Sequence, residues 1–255
     1  KNMFNLQGRV AVITGASSGL GTQMAHGLAE QGADVVLLAR REERLRKVAE
    51  DIESQYGVQA YPFPCDVTQL ASVQPAVQAA RERFGKVDIL INNAGIGSVA
   101  PAETMDDEVW EHNLSVDLTG VFRIAREFGK VMLEAGYGRI INISSMYGMV
   151  GNSATPASAY HAAKGGVVNL TRALAAEWAD RGVTVNCLCP GYFETELTVD
   201  LLKTEEFKAY MERTVPLKRY GNSGELNSAA CFLAADESSY VTGAILPIDG
   251  GYTCV

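Results

Sequence analysis

Short apolar runs alternate with longer amphipathic stretches along the whole chain, and this alternation constrains the fold more than any other feature. The apolar runs are rich in Val, Ile and Leu and are almost continuously apolar. Such runs are typical of parallel strands whose two faces are both covered. We predict strands at Val10–Thr14, Asp34–Leu38, Ala60–Cys65, Ile89–Asn92, Gly138–Ser144, Thr184–Cys189 and Ile245–Ile248.

The amphipathic stretches between these runs predict helices. Strands that alternate with helices are joined by right-handed crossovers, which place helices on both faces of a parallel sheet. We therefore expect an α/β fold, with a doubly wound parallel sheet of about seven strands and helices on both faces. The predicted helices lie near Leu20–Gln31, Glu42–Tyr56, Ser72–Phe84, Met105–Ala135, Ser158–Arg181 and Gly224–Ala235.

Length and composition indicate a single folding unit. The chain has 255 residues, of which 47% are hydrophobic and 20% charged, and this is enough to bury one large core. No linker-like stretch, charge block or internal repeat divides the sequence, so we expect residues 1–255 to form one domain. Ligands of such sheets bind outside the carboxyl ends of the strands, where the strand order reverses. Functional residues are therefore expected just after strands.

A glycine-rich turn follows the first predicted strand and leads into a helix. Gly15 permits a tight turn, Gly19 lets the backbone approach a pyrophosphate, and Gly21 lets the helix pack closely. The helix N-terminus then offers free N–H groups to phosphates. In this strand–turn–helix context the glycines predict the dinucleotide site of a Rossmann fold. The cofactor contacts expected here are Gly15, Ser17, Ser18, Gly19, Leu20 and Gly21.

The ends of the next strands extend the predicted cofactor site. Ala39 stands where a carboxylate would bind the ribose 2′-hydroxyl of NAD, and Arg40 and Arg41 follow it. A guanidinium can pair with a 2′-phosphate through two hydrogen bonds, so NADP(H) is favoured and NAD(H) is the alternative. These arginines also fit the start of a solvated helix. Further contacts are expected from Asp66 and Val67 after the third strand, and from Asn93, Ala94 and Gly95 after the fourth.

Four motifs, in order, resemble those of the short-chain dehydrogenase/reductase family: Thr14–Gly21, Asn92–Gly95, Tyr160–Lys164 and Pro190–Gly191. The resemblance covers essentially the whole chain. It implies an NAD(P)-dependent oxidoreductase that moves a hydride between a nicotinamide and a carbonyl or secondary alcohol. It also implies cofactor contacts from Tyr160, Lys164, Pro190, Gly191, Phe193 and Thr195, with Phe193 and Thr195 at the nicotinamide carboxamide.

The spacing of Tyr160 and Lys164 fits acid–base chemistry independently of the resemblance. Residues four apart share one face of a helix. A free phenol ionises only near pH ~10, and a nearby ammonium favours the phenolate. Tyr160 can then exchange a proton with the reacting oxygen. Ser145 resembles the family serine that hydrogen-bonds that oxygen, and it fits the family pattern better than its neighbour Ser144.

One position departs from the family pattern. Asp117 stands where the family has an asparagine that completes its catalytic tetrad. By resemblance, that asparagine kinks a helix, and its backbone carbonyl helps to hold a water linked to the lysine. An aspartate keeps the backbone role and adds a carboxylate near Lys164. Asn113, one turn away, is the weaker stand-in.

The substrate is less constrained than the chemistry. Within the family, the chain looks most like gluconate 5-dehydrogenase-type enzymes, which implies a sugar acid, and residues 192–220 look like a substrate lid. That lid is expected to carry a short helix capped by Thr204. The alternatives are a 3-oxoacyl carrier-protein reductase and a hydroxysteroid dehydrogenase. A catalytically silent NAD(P)-binding regulator is the non-enzyme alternative. Residues that could line an apolar steroid pocket are Met146, Tyr147, Met149, Val150, Tyr192 and Phe193.

Net charge and cysteine content limit which classes of partner and which cellular compartment we expect for this chain. The net charge is −8 and no long basic stripe is present, which disfavours nucleic acid. No apolar run is long enough to span a membrane. The five cysteines lack metal-like CxxC pairs, so we expect core thiols, no metal and a cytoplasmic location. The long apolar helices predict a homotetramer.

Overall fold

A parallel sheet forms the centre of the computed structural model, which describes residues 4–196 and 198–255. Within these residues seven strands form one sheet in the order β3-β2-β1-β4-β5-β6-β7, and all neighbours run parallel. The predicted doubly wound sheet is therefore confirmed. The strands are β1 (Val10–Thr14), β2 (Asp34–Ala39), β3 (Ala60–Pro64), β4 (Ile89–Asn92), β5 (Gly138–Ile143), β6 (Val183–Pro190) and β7 (Ile245–Ile248).

Helices cover both faces of the sheet because alternate strand residues point to opposite sides. On β1, Ala11 and Ile13 belong to one hydrophobic core, and Val10 and Val12 belong to the other. The first core packs under α1, α2 and α9, and the second under α3, α5 and α6. The helices are α1 (Gly19–Glu30), α2 (Glu42–Tyr56), α3 (Leu70–Phe84), α4 (Asp107–Leu114), α5 (Val121–Ala135), α6 (Ser158–Trp178), α7 (Val199–Leu202), α8 (Glu205–Thr214) and α9 (Asn227–Ala234).

The strand order reverses beside β1, which lies between β2 and β4. After β1 the chain continues to β2 on one side of the sheet, whereas after β4 it continues to β5 on the other side. A crevice therefore opens beyond the carboxyl ends of β1 and β4. The residues that follow β1, β2, β4, β5 and β6 converge there.

The helical stretch predicted near residues 105–135 is present from Asp107 to Ala135, with a local widening in its middle. The structure contains α4, then a wider π-helical turn at Ser115–Gly120, and then α5. A methyl group at Gly120 would lie 2.9 Å from Cγ2 of Val67, and Asn92 donates a hydrogen bond from Nδ2 to the Val121 carbonyl at 2.7 Å. These tertiary contacts accompany the distorted turn, and apolar periodicity does not encode them. Such turns are frequent at functional sites.

The lid segment contains the predicted capped helix. Thr204 accepts a hydrogen bond at Oγ1 from the Phe207 N–H at 3.3 Å, at the start of α8. Of the five cysteines, Cys254 is exposed and the other four are buried free thiols. No helix among the described residues is long and apolar enough to cross a membrane.

Candidate active site

The glycine-rich turn is fixed against the loop that follows β4. Gly15 has φ +66°, and a methyl group there would lie 2.9 Å from the Cα of Ala94. At Gly21 a methyl group would lie 2.3 Å from the Gly15 carbonyl oxygen. Thr14 joins the two segments, because its Oγ1 accepts hydrogen bonds from the N–H groups of Asn93 and Ala94, both at 2.9 Å. Because these glycines have no side chains, the backbone of the turn can pack directly against neighbouring backbone at the edge of the crevice.

A single cleft of about 520 Å³ collects most of the residues predicted from the sequence. It runs from the end of β2, across β1 and β4, to the residues after β5 and β6. The predicted residues that line it are Gly15, Ser17, Ser18, Gly19, Leu20, Arg40, Arg41, Asp66, Val67, Asn93, Ala94, Gly95, Ser145, Tyr160, Lys164, Pro190, Gly191 and Thr195.

Three predicted residues lie outside the lining of the cleft. Gly21 packs behind the glycine turn, and Asp117 is buried beneath the loop after β4. Phe193 is 6% exposed, and its ring fills the space beside Gly221, where a methyl group would lie 2.5 Å from Cε1. The structure therefore brings the Phe193 ring against the far side of the lid segment and not into the cleft.

The cleft has further lining residues that the sequence analysis did not single out. Thr68 directly follows Val67, and Ile96 directly follows Gly95. Their position next to predicted contacts after β3 and β4 could have identified them from the sequence. His112 and Val116 come from α4 and the π-helical turn. Only the tertiary structure places these two residues at the cleft, because no local motif marks them.

Arginines dominate the β2 end of the cleft. Arg41 donates from Nη2 to the hydroxyls of Ser17 and Ser18, both at 3.1 Å, and so ties the start of α2 to the glycine turn. Arg40 is exposed and borders the cleft. Burial opposes the ionisation of Asp66, but hydrogen bonds from Thr68 and the charge of Arg40 outweigh it and lower the pKa of Asp66. This end is therefore suited to an anion beside Arg40.

The opposite end of the cleft holds Ser145, Tyr160 and Lys164. Lys164 is 4% exposed, donates from Nζ to the Ile143 carbonyl at 3.2 Å, and has Nζ 5.6 Å from the centre of the Tyr160 ring. The hydroxyl of Ser144 donates to the Lys164 carbonyl at 2.8 Å, so this hydroxyl is occupied within the fold. Ser145 accepts from the Tyr147 N–H at 3.1 Å. A hydroxyl, a phenol and an ammonium thus line the same part of the cleft.

Asp117 lies behind this constellation on the π-helical turn and is fully buried. Its Oδ1 accepts a hydrogen bond from the Ile96 N–H at 2.7 Å, and Oδ2 has no hydrogen-bond partner among the described residues. A methyl group at Gly95 would lie 3.2 Å from Lys164 Nζ and 3.3 Å from Asp117 Oδ1, so both groups flank that glycine. Burial raises the pKa of Asp117, although the charge of Lys164 and the Ile96 N–H oppose the shift.

No cluster of three or more His, Cys, Asp or Glu side chains in the described part of the chain is placed to hold a metal ion. The polar groups gathered at the cleft include hydroxyl, phenol, ammonium and guanidinium groups. Together these groups can bind an anion at one end and move a proton at the other.

Comparison with known proteins identifies the relatives of this chain. A family model described as enoyl-(acyl carrier protein) reductase matches residues 15–253. Galactitol 2-dehydrogenase (L-tagatose-forming) of Cereibacter sphaeroides is 41% identical over 254 residues, which cover 99% of this chain and 98% of the relative. Gluconate 5-dehydrogenase of Gluconobacter oxydans (strain 621H) is 40% identical over 253 residues, covering 99% and 97%.

A solved structure shares the whole fold. The crystal structure of a gluconate 5-dehydrogenase from Burkholderia cenocepacia J2315, in complex with NADP and tartrate, superposes with a TM-score of 0.94 at 38% identity. The match covers 100% of this chain and 98% of that one. The Rossmann fold predicted from the sequence is confirmed by this similarity.

Proposed function

Because this chain belongs to the short-chain dehydrogenase/reductase family, whose members are oxidoreductases of alcohol and ketone groups, we propose that its substrate is an open-chain polyhydroxy compound. The reacting group is a secondary alcohol or ketone of a sugar acid or a sugar alcohol. The observation that carries the proposal is the meeting of Ser145, Tyr160 and Lys164 at one end of the cleft. The similarity to gluconate and galactitol dehydrogenases supports this substrate class.

The cleft fits a dinucleotide, and we propose that NADP(H) is preferred to NAD(H). The fit rests on the glycine turn, since a methyl group at Gly15 or Gly21 would collide with backbone. Ala39 supplies no carboxylate for a ribose 2′-hydroxyl, and Arg40 borders the cleft where a 2′-phosphate would be bound. The residues proposed to hold the cofactor are the cleft-lining set given above, with Gly21 and Phe193 in supporting positions.

The bound nicotinamide supplies or accepts the hydride. The chain supplies the proton chemistry. Tyr160 gives a proton to the carbonyl oxygen, or takes it from the alcohol, and the Lys164 ammonium lies beside its ring. Ser145 donates a hydrogen bond that orients the reacting oxygen. We propose that residues 192–220 close over the substrate and exclude water.

A substrate panel tests the proposal directly. Sugar acids, sugar alcohols, acyl thioesters and hydroxysteroids are assayed with NADP(H) and NAD(H) by nicotinamide absorbance. We expect turnover of open-chain polyhydroxy compounds, with the larger kcat/KM for the phosphorylated cofactor. Exclusive turnover of acyl thioesters or steroids would replace the substrate class. No turnover of any alcohol or ketone would support a silent regulator.

We also propose a cytoplasmic homotetramer that acts on small molecules, without membrane or nucleic-acid partners. Trp110 on α4 and Phe122 on α5 are large apolar side chains that are 38% and 40% exposed. Closed symmetric assemblies are the common way to cover such faces. Light scattering coupled to gel filtration should give four chains per particle. A stable monomer at micromolar concentration would contradict the assembly.

A further inference from the structure

Four tyrosines from four separate segments form a continuous chain of hydroxyl groups, which we call the tyrosine network. Tyr147 and Tyr192 approach with their hydroxyl oxygens 2.5 Å apart. The Tyr192 hydroxyl donates to that of Tyr210 at 3.4 Å, and Tyr210 and Tyr252 are also 3.4 Å apart. Asn152 donates from Nδ2 to the Tyr147 oxygen at 2.7 Å. Under the hydroxysteroid dehydrogenase alternative, Tyr147 and Tyr192 could line an apolar pocket, but the structure turns their polar ends toward one another.

The tyrosine network adjoins the proton-transfer end of the cleft through three segments. Tyr147 lies two residues after Ser145, and its N–H donates to the Ser145 hydroxyl. Tyr192 directly follows Gly191, which lines the cleft. His161 directly follows Tyr160 and stacks on the Tyr147 ring, with centroids 4.7 Å apart. The four phenols are not among the described residues that line the cleft, and the tyrosine network lies next to its Ser145–Tyr160 end. It is therefore a surface that the remaining atoms of a substrate held at Ser145 and Tyr160 can reach.

The hydrogen bonds within the tyrosine network differ in length, and the longer ones leave hydroxyl groups that can also bond to a ligand. Hydroxyl–hydroxyl bonds normally span about 2.5–3.0 Å, so the two 3.4 Å bonds at Tyr210 are weak. The Nδ1 of His161 lies 2.8 Å from the Ala157 carbonyl, which assigns the hydrogen to that nitrogen. Nε2 is then a buried acceptor without a partner among the described residues.

The surroundings make the tyrosine network selective for hydroxyl groups. Tyr192 lies edge-on against Phe207 of α8 at 4.9 Å between centroids, so the phenol oxygens are enclosed by rings. Burial raises the pKa of Tyr147 and of Tyr192, which keeps both as neutral donors. An apolar ligand would displace water from these half-buried hydroxyls and offer no hydrogen bond in exchange, so the weakly bonded ones at Tyr210 and Tyr252 would lose partners.

Positive charge is missing from the contacts of the tyrosine network. Among the described residues, the other side chains that meet the four phenols through hydrogen bonds or ring contacts are Asn152, His161 and Phe207. In the lid, Lys208 and Arg219 are each paired with a glutamate. A substrate carboxylate next to the four phenols would lose part of its hydration without gaining a lysine or arginine partner, which is unfavourable.

We propose that the tyrosine network is a specificity-determining surface that recognises the hydroxyl groups of an uncharged polyol, remote from the reacting carbon. The proposal rests on the proposed function and narrows its substrate class from sugar acids and sugar alcohols to sugar alcohols and the matching ketoses. Tyr210 and Tyr252 exchange their long mutual bonds for shorter bonds to the substrate. Tyr192 holds the position of both through the bond to Tyr147.

The test compares Tyr210→Phe and Tyr252→Phe with the wild type on three substrates of similar size. These are a linear polyol, the aldonate of the same chain length and a simple secondary alcohol without further hydroxyls. A neutral hydrogen bond corresponds to about a three- to tenfold change in binding. We expect each variant to lose about that factor in kcat/KM for the polyol, mainly through KM, with unchanged kcat/KM for the simple alcohol. The wild type should prefer the polyol to the aldonate.

Tyr240→Phe is the matched control, because Tyr240 is fully exposed and distant in the sequence from the cleft. It should match the wild type on all three substrates, and cofactor titration should confirm that each variant is folded. Polyol turnover that is unaffected in both network variants, or a wild-type preference for the aldonate, would overturn the recognition proposal. Turnover of the simple alcohol with neither polyol nor aldonate accepted would instead overturn the proposed function.

Discussion

The two ends of the cleft are built in different ways. The proposed cofactor end consists of backbone and small side chains at the ends of buried strands, and its close contacts involve Gly15, Gly21 and Thr14. Beyond the other end, next to the cleft lining, the proposed substrate side consists of loops, helix α8 and the C-terminal segment, and its contacts are between aromatic side chains such as Tyr147 and Tyr192. The first end has almost no freedom to change, whereas the second can be rebuilt by substituting single side chains.

This difference explains why one scaffold serves many substrates. Strand ends hold the groups that every reaction of the class requires, and loops hold the groups that select the substrate. Removing the hydroxyl oxygen of Tyr160 should therefore disrupt proton transfer, and adding one methyl group at a glycine of the proposed cofactor end should disrupt cofactor binding. At the substrate end, changes should alter preference while turnover continues.

The largest effect is expected from Tyr160→Phe, at the boundary between the two ends. The ring still packs, but the proton donor is gone, so kcat should fall by about 10²–10⁴-fold. Fluorescence titration should show nearly unchanged NADPH affinity. Lys164→Met should reduce both kcat and the affinity for NADPH, because Lys164 is proposed to contact the cofactor and to assist proton transfer at Tyr160. Retention of half the activity by Tyr160→Phe at neutral pH would remove it as the acid–base residue.

Adding one methyl group to each end compares their rigidity. At Gly21 a methyl group would lie 2.3 Å from the Gly15 carbonyl oxygen, so Gly21→Ala should destabilise the fold by about 1–3 kcal/mol and weaken cofactor binding. Gly151 is exposed in the loop between Tyr147 and Asn152, on the proposed substrate side, and an added methyl group there would have nothing within 4 Å. Gly151→Ala should therefore change stability by less than about 0.5 kcal/mol. Thermal unfolding and cofactor titration measure both. Equal losses in the two variants would show that the ends are alike.

Arg40→Ala probes cofactor choice without touching the substrate end. A hydrogen bond to a charged group contributes about 1.5–3 kcal/mol, so KM for NADPH should rise by about tenfold or more. KM for NADH should change little. Arg44, which is half-exposed and pairs with Glu196, offers a control as Arg44→Ala. Equal effects of Arg40→Ala on both cofactors would mean that Arg40 does not bind a 2′-phosphate.

Asp117→Asn should give the smallest change in activity. The Asp117 carboxyl and the Lys164 ammonium both flank Gly95, and a carboxylate there would oppose the electrostatic effect of the ammonium on a neighbouring acid. Removing the carboxylate should move the alkaline rise of the oxidative kcat/KM to lower pH. Profiles recorded for both proteins over the same buffers would decide. Superimposable profiles would leave Asp117 as a structural substitute for asparagine, and a shift to higher pH would contradict the electrostatic argument.

The same variant has a second readout in stability. The folded-state pKa of Asp117 is raised, so its contribution to stability is complete below the unfolded pKa of about 3.9 and declines as the pH rises through the folded value. The amide that replaces this carboxyl does not titrate, and the variant should therefore gain stability relative to the wild type as the pH rises above about 4. Thermal unfolding across that range gives the comparison. A relative gain that shrinks with rising pH would contradict the burial argument.

The sequence by itself determined the sheet and the cofactor end. Nearly continuous apolar runs placed seven strands within a residue or two of their observed bounds, because strands covered on both faces are mostly apolar at successive positions. The glycine turn and the residues after each strand were predicted because local backbone geometry dictates glycine there and topology brings strand ends together. Most of the predicted residues accordingly line one cleft.

Tertiary structure alone decided the rest. The π-helical turn at Asp117 accompanies packing against Val67 and a bond from Asn92, and both residues are distant in the sequence. Phe193 stays a predicted contact of the nicotinamide, and the structure adds that its ring packs against Gly221. The tyrosine network joins residues up to 105 positions apart, from Tyr147 to Tyr252, and no periodicity records such contacts. Local patterns encode burial and backbone conformation, whereas a side chain's partner depends on which loops the finished fold brings together.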